Sequence, residues 1–264
     1  MTLGQLLQRK KSSPRLEHAA LSSLGHREQN QDYADAYADP RQGLYCYVLA
    51  DGLGGHQAGR TASRLAVEFL LARLAASAEE ATAAGLTEVL REANDQIKRA
   101  AASQPELEGM QTTCCLVLVQ GPLAWSASVG DSRVYFFREG SILQRSRDDS
   151  VVQLLLDLGE IGADQVAGHP DRNRIVKALG MEGDLRLGQE PRCLELRSGD
   201  RILLCSDGFW ENFSDPELAQ VFGPRTRPAA PARILRGLFA LAEKRAAQQG
   251  RRLDNLSAQL IVVH

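Results

Sequence analysis

The chain has 264 residues, of which 44% are hydrophobic and 24% are charged, and its formal net charge is −2 at pH 7. This length and composition are typical of a globular protein with a sizeable core, which excludes a disordered or fibrous chain. The nearly neutral charge gives no reason to expect nucleic acid as a partner, because proteins that bind its phosphates carry a basic excess.

The N-terminal segment, residues 1–17, is polar and basic and is predicted to be a short lead-in. It lacks the apolar core of a signal peptide. No apolar run in the chain approaches the roughly 20 residues that are needed to cross a bilayer, so we expect no membrane span. These features predict a cytoplasmic protein with one domain over 18–264.

The predicted secondary structure comes in blocks. Short runs rich in β-branched and aromatic residues predict strands, and apolar residues at helical spacing predict helices. Strands are predicted near 18–24, 44–50, 112–119, 123–129, 132–137, 193–196, 201–206 and 256–263. Helices are predicted over 57–77, 84–102, 150–158, 215–222 and 231–248. Consecutive helices after residue 51 and consecutive strands after residue 109 favour antiparallel sheets covered by helices, an α+β fold.

Two further features bear on organisation. The segment 148–180 contains several glycines and the break His169-Pro170, and we predict that it forms a flap on the surface. The five cysteines stand in apolar segments without metal-binding spacing, which predicts buried, reduced thiols. They are Cys46, Cys114, Cys115, Cys193 and Cys205.

Four aspartates stand where predicted strands begin or end, which suggests one acidic cluster at the edge of a sheet. They are Asp51, Asp131, Asp207 and Asp254. Gly52 follows Asp51, and a glycine there lets the backbone approach a ligand closely. Carboxylate and carbonyl oxygens favour hard ions such as Mg²⁺ or Mn²⁺ over zinc. Two such ions about 3.5 to 4 Å apart suit displacement at phosphorus.

Each motif also has a structural explanation when it is considered alone. Asp207-Gly208 and Asp254-Asn255 are each typical of a turn or loop. The segment Asp131–Arg133 is typical of a hairpin turn with Arg133 as an exposed charge. Asp32 and Arg27 are typical of a loop acid and a solvated surface charge. The occurrence of all of them in one chain favours a functional site.

Nine segments, in this order and spacing, carry a family resemblance. They are Gly25–Asp32, Asp51–His56 with Ala62-Ser63, Thr112-Thr113, Val129–Tyr135, Asp148–Ser150, His169–Asn173, Ala178–Gly180, Cys205–Gly208 and Asp254-Asn255. Together they closely resemble the metal-dependent protein phosphatases, the type 2C-like serine/threonine phosphatases, in their bacterial form. The resemblance implies a β-sandwich of two antiparallel sheets flanked by helix pairs, with the metal centre at one end.

The resemblance also implies the metal ligands and the reaction. Asp51 would bridge two Mn²⁺ or Mg²⁺ ions and the Gly52 carbonyl would bind one of them, while Asp207 and Asp254 would complete the other. The implied reaction is the hydrolysis of phosphoserine or phosphothreonine by direct attack of a metal-bridging water, with no phosphoenzyme.

Further positions receive supporting roles from the same resemblance. Asp32 would support the metal site, Arg27 would hold the substrate phosphate, and Asp131 would help to hold a third, weaker ion. Glu211 is a less certain contributor. Several positions depart from the family pattern without removing a core metal ligand. They are Ser23, Gln31, Leu53, Arg60, Gln111 and Asp149.

The implied partners are phosphorylated proteins, with a bacterial Ser/Thr kinase and its substrates as the physiological counterpart, and we expect a monomer. Two other hypotheses stay open at this point. One is a module that binds phosphoproteins without turnover, although the intact acidic residues argue against it. The other is a phosphatase of a sigma-factor pathway, although such proteins usually carry sensor domains and none is recognisable in this sequence.

Overall fold

A computed structural model of the protein describes residues 13–54, 56–76, 80–166, 168–223 and 230–264. The first twelve residues of the predicted lead-in lie outside these ranges. The strands are β1 Leu16–Ser23, β2 Asp32–Asp39, β3 Leu44–Leu53, β4 Gln111–Thr112, β5 Cys114–Gln120, β6 Leu123–Val129, β7 Arg133–Arg138, β8 Ser141–Arg145, β9 Arg192–Glu195, β10 Arg201–Cys205 and β11 Leu256–Val263. The helices are α1 His56–Ala76, α2 Ala83–Ser103, α3 Val151–Asp157, α4 Asp207–Trp210, α5 Asp215–Val221 and α6 Pro231–Gln249, with a 3₁₀ turn at Pro105–Leu107.

The strands form two antiparallel sheets. The first sheet has the order β1-β11-β10-β7-β8, and the second has the order β2-β3-β5-β6-β9, with β4 added to the end of β3. Helices α1 and α2 cover the second sheet, and α6 packs on β1 and β11 of the first. The expected α+β sandwich flanked by helices is therefore confirmed.

The hydrophobic core has three layers because alternate residues of a strand face opposite sides of its sheet. In β3, Val48 joins the cluster under α1 and α2, whereas Tyr47 and Leu49 join the cluster between the two sheets. A third cluster, which includes Leu260 and Phe239, lies between the first sheet and α6. Strands buried on both faces explain the unbroken apolar run 44–50 in the sequence.

Most of the predicted strands and helices are present, and a few short elements of the structure were not predicted. The strands 123–129 and 256–263 have the predicted bounds, and the long helices begin and end within one residue of prediction. Strands β2 and β8 and the short helix α4 were not predicted, and the single strand predicted near 112–119 is divided into β4 and β5. The first and last segments of the predicted flap are fixed to the sandwich, because Asp149 donates a backbone hydrogen bond to Gly130 and Leu179 pairs with Thr112.

Two expectations about individual residues are wrong. Cys193 is exposed on the edge strand β9, whereas the other four cysteines are buried. The segment Asp131–Arg133 is not a hairpin turn, because β6 and β7 belong to different sheets. It is a crossover between the sheets that leads into β7, and Arg133, the first residue of β7, has only 11% of its side chain exposed. None of the helices in the described ranges combines the length and apolar character that a bilayer crossing requires.

Candidate metal centre

The centre is built first on the pairing of β2 with β3. Their antiparallel register places Asp32, the first residue of β2, directly opposite Asp51 near the end of β3. The backbone of Asp51 is held from the other side by the threonine pair. Its N–H donates to Thr113 Oγ1 at 3.0 Å, and its carbonyl accepts from Thr112 Oγ1 and from the Thr113 N–H, both at 2.8 Å.

The first sheet contributes Asp207 through the end of β10. Ser206 precedes the short helix α4, in which Asp207 is the first residue, so the carboxylate is carried on a helical turn. The Ser206 hydroxyl donates to Asp32 Oδ2 at 2.8 Å and accepts from the Ser257 N–H at 3.0 Å. This serine therefore joins the acids of the two sheets.

Asp254 enters from the loop before β11, where Asn255 fixes the backbone. The Asn255 amide accepts from the Gln31 N–H at 2.9 Å and donates to the carbonyls of Leu24 and Gln29 at 3.0 Å. The side chain of Asp254 accepts a hydrogen bond from Arg27 Nη2 at 2.5 Å. These contacts bring Arg27 to the rim of the acidic cluster, with 60% of its side chain exposed.

The backbone at Gly52 leaves no room for a side chain. A Cβ at this position would lie 2.0 Å from the carbonyl oxygen of Gly59 in α1, which is far inside the contact distance. The first turns of α1 therefore pack directly on the backbone that follows Asp51. Glycine at 52 is required by this close approach.

Electrostatic repulsion is strong in the cluster. Burial raises the pKa of Asp51 well above its usual value, and the neighbouring charges of Asp32, Asp207 and Asp131 raise it further. Burial also raises the pKa of Asp32 to about 7, although the Ser206 hydroxyl opposes that shift. Burial likewise raises the pKa of Asp207, and the charge of Asp254 raises it further. Burial also raises the pKa of Asp131, and there the added repulsion comes from Asp207. Positive charge placed among these groups would relieve the repulsion.

The donor set fits a hard divalent cation. Among the residues that the structure describes, no group of three acidic, histidine or cysteine side chains is already arranged as a complete metal-binding site. The charge of Asp207 instead acts on Asp51, and Asp254 is engaged by Arg27. Asp32 Oδ1 is buried without a hydrogen-bond partner in this part of the chain, and an orphaned carboxylate oxygen is a natural cation ligand. Oxygen donors of this kind suit Mg²⁺ or Mn²⁺.

The structure thus brings together the side chains of Asp32, Asp51, Asp131, Asp207, Asp254 and Arg27, with the Gly52 backbone beside them. Glu211 lies at the margin, where burial and then the charge of Asp207 raise its pKa. Sequence reasoning assigned no role to Ser206 or Asn255, although both lie inside the matching segments. Serine and asparagine are so common in turns that the sequence offers no stronger signal for them.

Beside Asp131 lies a buried ion pair that the sequence did not indicate. Arg133 donates to both carboxylate oxygens of Asp148, at 2.9 and 2.6 Å, and its guanidinium stacks 3.4 Å from the ring centre of Trp210. The indole N–H of Trp210 donates to the Asp131 carbonyl at 2.9 Å. Arg133, Asp148 and Trp210 therefore tie the start of the flap to the crossover that carries Asp131.

Replacing Arg133 by methionine should destabilise the fold by about 3 kcal/mol, because the Asp148 carboxylate would be left buried and unpaired. Urea unfolding measures the loss. The double variant Arg133→Met/Asp148→Asn should recover part of the stability, since the uncompensated charge is removed. A single variant as stable as the wild type would show that the pair contributes nothing.

Comparison with known proteins gives consistent matches. A family model described as protein phosphatase 2C matches residues 22–247. The serine/threonine protein phosphatase PstP of Mycobacterium tuberculosis is 37% identical over 207 residues, which cover 78% of this chain and 38% of PstP. The serine/threonine phosphatase stp of Listeria welshimeri is 32% identical over 204 residues, which cover 74% of this chain and 78% of stp. The chain thus spans much less than the full length of PstP and most of the length of stp.

A solved structure with the same fold contains metal. The catalytic domain of PstP, crystallised in complex with two manganese ions, aligns with a TM-score of 0.75 at 31% identity. The alignment covers 94% of this chain and 98% of that domain.

Proposed function

Because the chain belongs to the protein phosphatase 2C family, we propose that it is a serine/threonine protein phosphatase that depends on Mn²⁺ or Mg²⁺. The observation that carries the proposal is the meeting of buried carboxyl groups from both sheets at one end of the sandwich, with Arg27 at their rim. Hydrolysis of a phosphate monoester is extremely slow in water, so a catalyst must neutralise much negative charge.

Each residue of the centre has a task in this proposal. Asp51, the Gly52 carbonyl, Asp207 and Asp254 would hold two divalent cations, and Asp32 would support them. When bound, the cations supply charge that neutralises the phosphoryl oxygens and lowers the pKa of a water. The threonine pair fixes the backbone of Asp51 and Ser206 holds the Asp32 carboxylate, so little reorganisation is needed during the reaction.

Arg27 is suited to orient the phosphate group. Its guanidinium is exposed, planar and already close to the cluster, where Asp254 holds it. A substrate phosphate offers the same bidentate acceptor geometry as the carboxylate. Arg27 can therefore exchange its bond to Asp254 for a bond to the phosphoryl oxygens when substrate arrives.

The substrates in this proposal are proteins phosphorylated on serine or threonine, and a bacterial Ser/Thr kinase would produce them. One catalytic domain over 18–264 is supported by the family match and by the core shared between the sheets. The flap over 148–180, the monomeric state and the cytoplasmic location stay predictions from the sequence.

Hydrolysis of p-nitrophenyl phosphate and of a phosphothreonine peptide, each with Mn²⁺ and with excess chelator, tests the proposal. We expect turnover of both with Mn²⁺ and none with chelator, and restoration when Mn²⁺ is added back. Binding of the phosphopeptide without any turnover would support a recognition module instead and would reject the proposal.

Replacing Arg27 by alanine should lower kcat/KM for a phosphopeptide by about tenfold to a hundredfold, because a charge-assisted contact to phosphate is lost. Affinity for Mn²⁺ should not fall, since the substitution frees Asp254 from its ion pair. Steady-state kinetics and calorimetric titration with Mn²⁺ measure the two quantities. Arg27→Lys, which keeps the charge without the fork, should recover part of the rate. Weakened Mn²⁺ binding with unchanged kinetics would contradict the assignment.

A further inference from the structure

Two grooves flank a pair of arginines on the first half of helix α1. One groove, of about 390 Å³, lies between the helix and the loop that carries Gln29. The other, of about 410 Å³, lies between the helix and strands β1 and β2. Arg60 and Arg64 line both grooves, so their side chains form the ridge between them. We call these two residues and the walls of the grooves the α1 arginine surface.

The α1 arginine surface begins beside the acidic cluster. The backbone of Gly59 packs directly against that of Gly52. A Cβ at position 59 would lie 2.5 Å from the side-chain nitrogen Nε2 of Gln31. Arg60 is the next residue, so its Cα lies about 3.8 Å from that of Gly59. Asp32, a member of the cluster, also borders the second groove. A peptide whose phosphorylated residue is at the centre would reach the surface within a few residues, at about 3.3 Å per residue.

The charges of this surface are not balanced. The side chain of Arg60 is exposed and makes no hydrogen bond or ion pair with another residue in the described ranges. Arg64 pairs with Glu68 at 2.7 Å and lies 5.8 Å from the ring centre of Tyr33. Two guanidinium groups therefore face one exposed carboxylate along the ridge, because Asp32, the acid that borders the second groove, is only 6% exposed. An exposed arginine with an open fork is ready to receive a carboxylate or a phosphate.

The remaining walls of the first groove favour the same ligand. Gln29, Gln57 and Thr61 supply neutral hydrogen-bonding side chains on both sides of the arginines. The metal cluster next to the surface is acidic, so it gives an acidic peptide segment no attraction of its own. Attraction for such a segment must come from the arginines.

We propose that the α1 arginine surface docks acidic residues that flank the phosphorylated residue of a protein substrate, so that Arg60 and Arg64 determine substrate preference. This inference rests on the proposed phosphatase function. Arg60 and Arg64 stand outside the metal cluster and do not contribute to the chemical step. Their effect is confined to substrates long enough to leave the centre and reach α1.

Three phosphothreonine peptides that differ only in their flanks, acidic, neutral or basic, test the proposal on the full chain. For the wild type, kcat/KM should fall in the order acidic, neutral, basic. Arg60→Glu should lower kcat/KM for the acidic peptide about three- to tenfold and raise it for the basic peptide by a similar factor. Arg64→Gln should reduce the preference to a smaller extent, since Glu68 already engages Arg64. High salt should weaken the wild-type preference.

Two controls keep the result interpretable. Arg236→Glu makes the same charge change at an exposed position of α6, on the opposite helical layer, and should leave the preference unchanged. p-Nitrophenyl phosphate is too small to reach α1, so its turnover should be the same in all variants. An acidic-to-basic ratio that Arg60→Glu leaves unchanged, or that Arg236→Glu shifts equally, would overturn the docking role.

Binding separates this inference from the proposed function. Fluorescence anisotropy of the same labelled peptides, measured in chelator so that turnover cannot intervene, should show an acidic preference that Arg60→Glu removes. A chain that hydrolyses neither p-nitrophenyl phosphate nor peptide refutes the phosphatase proposal, while the anisotropy preference still decides whether the surface docks acidic segments. Equal binding of the acidic and basic peptides to the wild type would overturn the inference even where hydrolysis is normal.

Discussion

Replacing Asp51 by asparagine is expected to abolish Mn²⁺-dependent hydrolysis, with kcat reduced by at least about a thousandfold, while the fold is retained. Asp51 lies among three other acids, since the charges of Asp32, Asp207 and Asp131 all raise its pKa after burial does. Removal of this charge weakens a cation site and, in the metal-free protein, eases the repulsion among the remaining acids. The melting temperature in chelator should therefore not fall.

Kinetics with Mn²⁺ and thermal unfolding in chelator measure the two halves of this prediction. Asp207→Asn should behave in the same way, because the charge of Asp207 also raises the pKa of Asp51. Asp35→Asn is a matched control, since Asp35 lies on the same strand as Asp32 but is exposed. Asp51→Asn turnover close to that of the wild type would remove Asp51 from the centre, whereas a collapsed melting temperature would make its role structural.

The sequence predicted the elements that are buried on both faces better than those at the edges. The run 44–50 and the strand 256–263 are unbroken apolar segments, and such segments have few alternatives to a core strand. Strand β2 was missed because its sequence, Asp-Tyr-Ala-Asp-Ala-Tyr-Ala-Asp, is rich in alanine and aspartate and has weak strand propensity. Alanine stands where β-branched residues are usual on its inner face. Its position opposite β3 depends on pairing, which no local pattern reveals.

The candidate site divides in a similar way. The convergence of the aspartates was predictable, because strand ends gather at one edge of a sandwich. The partners of the acids were not, since Ser206 and Asn255 act through contacts with residues more than 170 positions away in sequence. The sequence predicts a surface charge at Arg133, because arginine in a strand is usually exposed. Only the tertiary structure shows Asp148 and Trp210 on either side of it.

Replacing Asp131 by alanine is expected to leave two Mn²⁺ ions bound and to lower kcat for a phosphopeptide by about a hundredfold at saturating metal. Asp131 is only 6% exposed, and its backbone is fixed by the Trp210 indole. Its charge acts on Asp51, and that of Asp207 acts on it, but the described contacts include no hydrogen bond between Asp131 and either acid. The Asp131 carboxylate therefore acts on the cluster through its charge alone, which suits a weaker third ion.

Native mass spectrometry or calorimetry gives the number of bound Mn²⁺ ions, and steady-state kinetics gives kcat on the same preparations. Asp131→Asn separates charge from shape, because the amide keeps the size of the side chain but binds a cation weakly. If Asp131 acts through its charge, the asparagine variant should be as slow as the alanine variant. A wild-type kcat in both variants would exclude a role in turnover. Loss of the two strongly bound ions would place Asp131 with Asp51 and Asp207 in the primary site. The crossover between the sheets would then supply a ligand that the two ions require.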